Sequence, residues 1–414
     1  MIDKVHRLSN LRAAFAEVKA NHGAAGVDHQ TIAMFEANLD ANLERLSEAL
    51  RSGTYRPRAI RRVYIPKPGK KEMRPLGIPT VRDRVAQAAA RQVLEPIFER
   101  NFAEHSYGFR PGRGGKDALR RVQALLDKGS TWVVDADLKS YFDTIPHVKL
   151  MERVREKIAD GRVLELIQGY LEQDILEQAA LWTPESGSPQ GAVLSPLLSH
   201  IYLDDLDHHM AQAGYEMVRY ADDFVILCRS EAEARAALER VAAWTAQAGL
   251  TLHPDKTRIV DADQPGGFDF LGYHFERGYR WPSKKSLDKF KNTVRGITRR
   301  TNGHSLSQIA LDLNQVLRGW FGYFKHSWRT TFGRLDQWVR MRLRSILRRR
   351  AHRRGRGRGA DHRRWPNACF EQAGLFSLRT AWSLLCPPPI GRTTNRRAGC
   401  GRSARPVRRE GGPG

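Results

Sequence analysis

The stretch MVRYADDFVILC, Met217–Cys228, decides the fold. Val218 and Tyr220 alternate before two adjacent carboxylates, Asp222 and Asp223, and an apolar run, Phe224–Leu227, follows. That pattern predicts a β-hairpin with both acids at the turn. A solvated turn would carry acids equally well. A second acidic stretch weighs against it: in TWVVDADLKSYFDTI, Thr131–Ile145, a β-branched run ends in Asp135 and Asp137. Strands have period 2, so these two share a face. Two strand ends that each offer carboxylates can hold two divalent ions about 4 Å apart, clamping the attacking and leaving oxygens of a phosphoryl transfer. Magnesium suits such a site, as a hard cation bound by a few carboxylates and substrate phosphates.

The same Tyr-x-Asp-Asp spelling recurs at Tyr202-Leu203-Asp204-Asp205. There Leu194, Leu197, Leu198, Ile201, Tyr202 and Leu206 keep helical spacing. Asp204, Asp205 and Asp207 are therefore expected on the wet face of a helix, and only the hairpin copy is expected to be catalytic.

Composition bounds the rest. A chain of 414 residues, 41% hydrophobic, has room for two or three domains with real cores. No run of 18 apolar residues appears, so no membrane span is expected. The opening MIDKVHRLSNLRAAF has no apolar signal segment. Cys228, Cys369, Cys386 and Cys400 lack metal-type pair spacing and read as free thiols in a reducing compartment, the cytoplasm. The net charge of +24 is uneven: residues 281–414 hold 31 Lys+Arg against 6 Asp+Glu, residues 1–280 hold 38 against 39. A near-neutral part joined to a polybasic part places much of the polyanion affinity outside the acidic centre. A basic hairpin tip, Val63–Lys71 returning through Arg74–Pro79, is a natural clamp for a triphosphate, although a solvated turn would look similar.

Tyr220–Asp223, the strand ending in Asp137, and SPQGAVLSPLLSHIYLDDLD (Ser188–Asp207) between them resemble a reverse transcriptase. More narrowly, they resemble the protein encoded within a bacterial group II intron. Further blocks follow in family order: NHGAAGVDHQTI (Asn21–Ile32), RRVYIPKPGKKEMRPLGIPTVRDRVAQ (Arg61–Gln87), FAEHSYGFRPGRGGKDAL (Phe102–Leu119), GLTLHPDKTRIV (Gly249–Val260), FDFLGYHF (Phe268–Phe275) and LRGWFGYFKHS (Leu317–Ser327). The resemblance covers about residues 10–385.

The resemblance implies an α+β right-hand polymerase, with fingers, a palm built on an antiparallel sheet, and a helical thumb/maturase domain. The boundaries expected are 1–55 for a helical extension, 56–280 for fingers and palm, 281–350 for the thumb, and 351–414 for a basic Arg/Gly/Pro-rich region, partly disordered. It puts two magnesium ions on Asp137, the carbonyl of Leu138 and Asp222, assisted by Asp223. Lys256 would protonate the departing pyrophosphate or act only by its charge. Lys67 and Arg74 would hold the incoming triphosphate, with Gln190 beside the nucleotide. Phe142, five residues past Asp137, would lie under the sugar and clash with a 2′-hydroxyl. Phe270, Leu271 and Gly272 would grip the primer end. The implied partners are group II intron RNA, an RNA template/DNA primer duplex, deoxynucleoside triphosphates and target DNA, with no membrane and with nucleoid association through nucleic acid. No His-Asn-His nuclease block with paired cysteines is present, so second-strand cleavage is not expected of this chain. Two other readings stay open: a reverse transcriptase of a retron or defence system, and an RNA-binding maturase whose polymerase site is idle.

Overall fold

A computed structural model describes residues 1–66, 73–178, 180–353, 355 and 359–385. The chain separates into two compact units, residues 1–302 with 319–328, and residues 303–318 with those from 329 onward.

The first unit opens with four helices, α1 (Ile2–Val5), α2 (Leu8–Ala20), α3 (Ile32–Glu36) and α4 (Leu39–Ser52). Leu11, Phe15 and Val18 of α2 and Leu43, Leu46 and Leu50 of α4 recur every three or four residues, and all are buried. A hairpin, β1 (Ile60–Pro66) and β2 (Met73–Ile78), leads to the long α5 (Val81–Glu99). Thr80 caps α5 by accepting from Asp83 N at 3.1 Å, and buried Asp83 accepts in turn from the Tyr55 hydroxyl at 2.7 Å. That bond fixes the end of the N-terminal helices against the base of the hairpin. Next come α6 (Gly115–Asp127), β3 (Trp132–Asp137), α7 (Tyr141–Thr144), α8 (His147–Arg155) and α9 (Gly161–Leu171). A short hairpin, β4 (Ile175–Glu177) and β5 (Ala180–Trp182), joins β1 in parallel, giving a sheet ordered β2-β1-β4-β5.

The organising sheet is antiparallel throughout, ordered β6-β7-β3-β8. It adds β6 (Glu216–Tyr220), β7 (Asp223–Cys228) and β8 (Arg258–Asp261) to β3, with α10 (Ser195–Gln212) and α11 (Glu231–Gln247) between them. Period-2 geometry divides the sheet between two cores. Phe224, Ile226, Cys228, Val134 and Ala136 join the large core that includes α10 and α11. Val225, Leu227 and Val133 join a second core with α6 and the aromatic pair Phe268 and Phe275. Because both faces are covered, β7 reads as a continuous apolar run. A small sheet, β9 (Phe268–Phe270), β10 (Tyr273–Glu276) and β11 (Tyr279–Pro282), follows, then α12 (Lys284–Ile297).

The helical copy of the acidic spelling differs from expectation. In α10, Asp204 and Asp205 are half-buried and Asp207 is 6% exposed. Asp204 accepts from Ala103 N at 3.0 Å, and Asp205 from Trp244 Nε1 at 2.9 Å and Arg153 Nη2 at 2.8 Å. The reason is that α10 is covered by neighbours on nearly all sides, among them α5, α8, α11 and β6. The three acids of α10 therefore take protein partners, although the Asp205 side chain keeps 38% exposure.

The second unit holds the first part of α13 (Leu306–Phe324), with α14 (Thr330–Arg350), α15 (Gly359–Arg364), α16 (Asn367–Gln372) and α17 (Leu378–Leu385). Buried Asp336 of α14 accepts from Leu378 N and Arg379 N, both at 3.0 Å, and so caps α17. Arg344 donates to Trp365 O and Asn367 Oδ1, and Arg348 to Asp361, so part of the arginine excess is structural.

Candidate active site

The antiparallel register sets the acids directly. Asp137 ends β3 opposite Asp223, the first residue of β7, and Asp135 lies opposite Val225. Asp135, Asp137 and Asp223 share the sheet face that carries Val133, Val225 and Leu227. Asp222 occupies the two-residue turn between β6 and β7 beside Ala221, whose φ of +60° supplies the positive angle that hairpin turns of this length need. Like charges directly across a ladder disfavour one another. Accordingly, burial and then the charges of Asp135, Asp222 and Asp137 push Asp223 up to about 7. Asp222 is raised by burial and then by Asp137. Asp135 is raised by burial, against the pull of Arg258.

Two basic side chains enter this field, Lys256 from the turn before β8 and Arg258 from the first residue of β8. Lys256 forms an ion pair with Asp137, and Arg258 Nε lies 3.1 Å from Asp135. Sequence reading passed over Arg258, which opens β8 opposite Asp135. Arg74, exposed on β2, is close enough that its charge lowers Asp222 against the burial effect. Lys67 lies outside the described residues. Phe142 and Gln190 line one cleft of about 490 Å³ together with Arg62, Asp143 and Trp182. Phe270 is buried; Leu271 O accepts from the Tyr323 hydroxyl at 2.8 Å, and Gly272 O from Ser283 N at 2.8 Å. The φ of +80° at Gly272, with Ser286 Oγ 2.9 Å from where a Cβ would stand, accounts for glycine there.

The donor set at the sheet end suits a hard divalent cation. Leu138 and Leu252 form a non-hydrogen-bonded pair, flanked by His253 N→Asp137 O at 2.7 Å and Lys139 N→Thr251 O at 2.8 Å. The Leu138 carbonyl therefore points away from Leu252, toward the side where β7 begins at Asp223. Among the described residues no three His, Cys, Asp or Glu side chains converge on a closed metal cage. Two strand-end carboxylates and a carbonyl are the oxygen donors that a hard divalent cation takes, and the Lys256 ammonium pairs with one of them, Asp137.

Compared with known proteins, residues 65–275 match the reverse transcriptase (RNA-dependent DNA polymerase) family and residues 287–365 the group II intron maturase-specific domain. Protein YkfC of Escherichia coli is 36% identical over 291 residues, covering 61% of this chain and 76% of that protein. The group II intron-encoded protein LtrA of Lactococcus lactis is 39% identical over 201 residues, 48% of this chain and 33% of LtrA. A COX1/OXI3 intron 1 protein of Saccharomyces cerevisiae is 26% identical over 365 residues, 74% of this chain and 43% of that protein. The antiparallel palm sheet, the paired acidic strand ends and these matches together place the chain in the reverse transcriptase family, with a group II intron maturase-specific domain following its polymerase region.

Proposed function

We propose that this chain is the RNA-directed DNA polymerase of a group II intron, copying intron RNA into DNA and binding that RNA to assist its splicing and mobility. The observation that carries the reading is the pairing of Asp137 with Asp223, with Asp222 in the adjoining turn. Two magnesium ions held by Asp137, the Leu138 carbonyl and Asp222, with Asp223 assisting, would neutralise the charge that develops on the phosphoryl oxygens. The chain's own residues then position reactants, since phosphoryl transfer asks little covalent chemistry of a protein. Arg74, with Lys67, holds the triphosphate so that the primer 3′-oxygen meets the α-phosphorus in line. Phe142, which lines one cleft with Gln190, would clash with a 2′-hydroxyl and so select deoxynucleotides. The turn through Phe270, Leu271 and Gly272 presents backbone to the primer end. Lys256 stands beside Asp137, where its ammonium can meet the leaving pyrophosphate.

The maturase-specific domain favours an intron setting over a retron or defence system, and the intact acids favour a working polymerase over an idle one. Template, primer, target DNA and intron RNA are the partners this reading assigns. Cytoplasmic placement near the nucleoid follows from them; among the described residues no helix is long and apolar enough to cross a membrane. Asp222→Ala should abolish DNA synthesis on an RNA template while leaving intron splicing assistance in place. Equal loss of both in a folded variant would overturn the separation of roles.

A further inference from the structure

Arg219 sits between Val218 and Tyr220 on the strand that enters the acidic turn, and its side chain is wholly buried. An isolated guanidinium there would be strongly disfavoured. Asp207 of α10 meets it: Arg219 Nε donates to the two carboxylate oxygens at 2.8 and 3.0 Å, and Nη2 pairs with the same group. That leaves Nη1, which donates to the carbonyl of Ala221 at 2.9 Å. Ala221 turns the chain with φ +60°, and the next residue is Asp222.

The backbone of Arg219 is held as well. β6 is an edge strand, and its open side is closed by a parallel bridge: Arg219 N donates to His105 O at 3.0 Å, and Tyr107 N to Arg219 O at 2.9 Å. Ser106, between them, bonds His200 Nε2 at 2.8 Å, and His200 lies 3.5 Å from Arg219 Nη2. Strand, loop and α10 thus meet at one guanidinium. Replacing a buried ion pair by apolar residues is often neutral or stabilising, so stability alone is a poor reason for this one. The bond to the turn carbonyl is a better one.

We infer that Arg219, clamped by Asp207, is a positioning residue for the catalytic turn: it holds the Ala221 carbonyl and so fixes the direction in which Asp222 and Asp223 present their carboxylates. The inference rests on the polymerase reading above. It also gives α10 a task, since Asp207, two residues past the second acidic spelling, anchors the strand that leads into the first.

Two variants separate positioning from support. The double variant Asp207→Leu/Arg219→Met keeps volume but removes the donor. Arg219→Lys keeps a charge for Asp207 but loses the fork that reaches Ala221. Thermal melting identifies the folded variants, and Arg219→Lys carries the test if the double variant does not fold. In metal-free protein, amide exchange across 220–224 should quicken about tenfold or more. In primer extension, kcat should fall about 10²-fold, as expected for carboxylates displaced by about 1 Å. The KM for deoxynucleotides should stay within about twofold, because triphosphate contacts come from elsewhere. The magnesium concentration for half-maximal rate should rise. A folded variant with wild-type exchange, or with faster exchange but wild-type kcat, overturns the inference. A wild-type chain that makes no DNA overturns the polymerase reading instead, and the exchange rates then decide by themselves whether Arg219 holds the turn.

Discussion

Individual residues in this protein are chosen by what stands opposite them. An added Cβ at Gly108 would lie 2.3 Å from Ala221 N and 2.9 Å from Tyr220 C, so only glycine lets the Tyr107–Arg110 loop touch the acidic turn. Gly108→Ala must shift one backbone or the other, and primer-extension kcat should drop about 10²-fold, since the turn carries Asp222. Phe142→Ala, by opening the floor of the cleft, should raise ribonucleotide incorporation relative to deoxynucleotide by about tenfold or more, read from competing extension assays. His200 gives a pH dependence. Burial first, then the charges of Arg219 and Arg110, hold its ring well below the ordinary imidazole value, so it stays neutral when folded. Below the unfolded value of 6.5 the unfolded chain takes up a proton that the folded chain refuses. Stability is therefore full above that pH and falls below it. Between pH 7.5 and 5.5 the wild type should lose about 1.4 kcal/mol more than His200→Gln in urea unfolding. An equal loss in both would mean that the ring is protonated in the fold.

At the scale of elements, alternation and capping predict more than side-chain partnership does. The β6–β7 hairpin and the strand ending in Asp137 were legible from period alone. Ser230 caps α11: its Oγ accepts from Glu233 N at 3.2 Å. Ser230→Ala should lower stability by about 1 kcal/mol in urea titration and leave polymerisation unchanged, because α11 supports the sheet from the face away from Asp223. The wet face expected of α10 was not correct. Periodicity identifies which residues must be buried, but not how many other faces neighbours will cover, and α10 is surrounded. Arg258 escaped notice for a related reason. Its partner, Asp135, lies on a strand more than a hundred residues earlier, and only the β3–β8 register brings them together.

For the whole molecule, charge is divided between units of different task. The polymerase region is near neutral overall, while residues 281–414 carry the excess. In the second unit Arg344 and Arg348 are committed to internal partners, whereas Arg349, Arg353 and Arg363 are exposed. Substituting those three with Gln should weaken RNA binding and reduce the slope of log K against log salt by about 2, if each meets a phosphate. An unchanged slope would remove them from the interface. Of the stretch expected to be partly disordered, 351–414, residues 359–385 carry α15, α16 and α17, and those beyond 385 lie outside the described residues.

The sequence by itself determined the family, the two acidic strand ends and the uneven charge, because these depend on local period, short spacings and composition. The tertiary structure alone decided that Asp223 stands opposite Asp137, that Arg258 enters the acidic field, and that the acids of α10 are ties within the fold. Those outcomes depend on strand register and on which faces neighbours cover. Both are set by contacts between segments far apart in the chain, where no local pattern reaches.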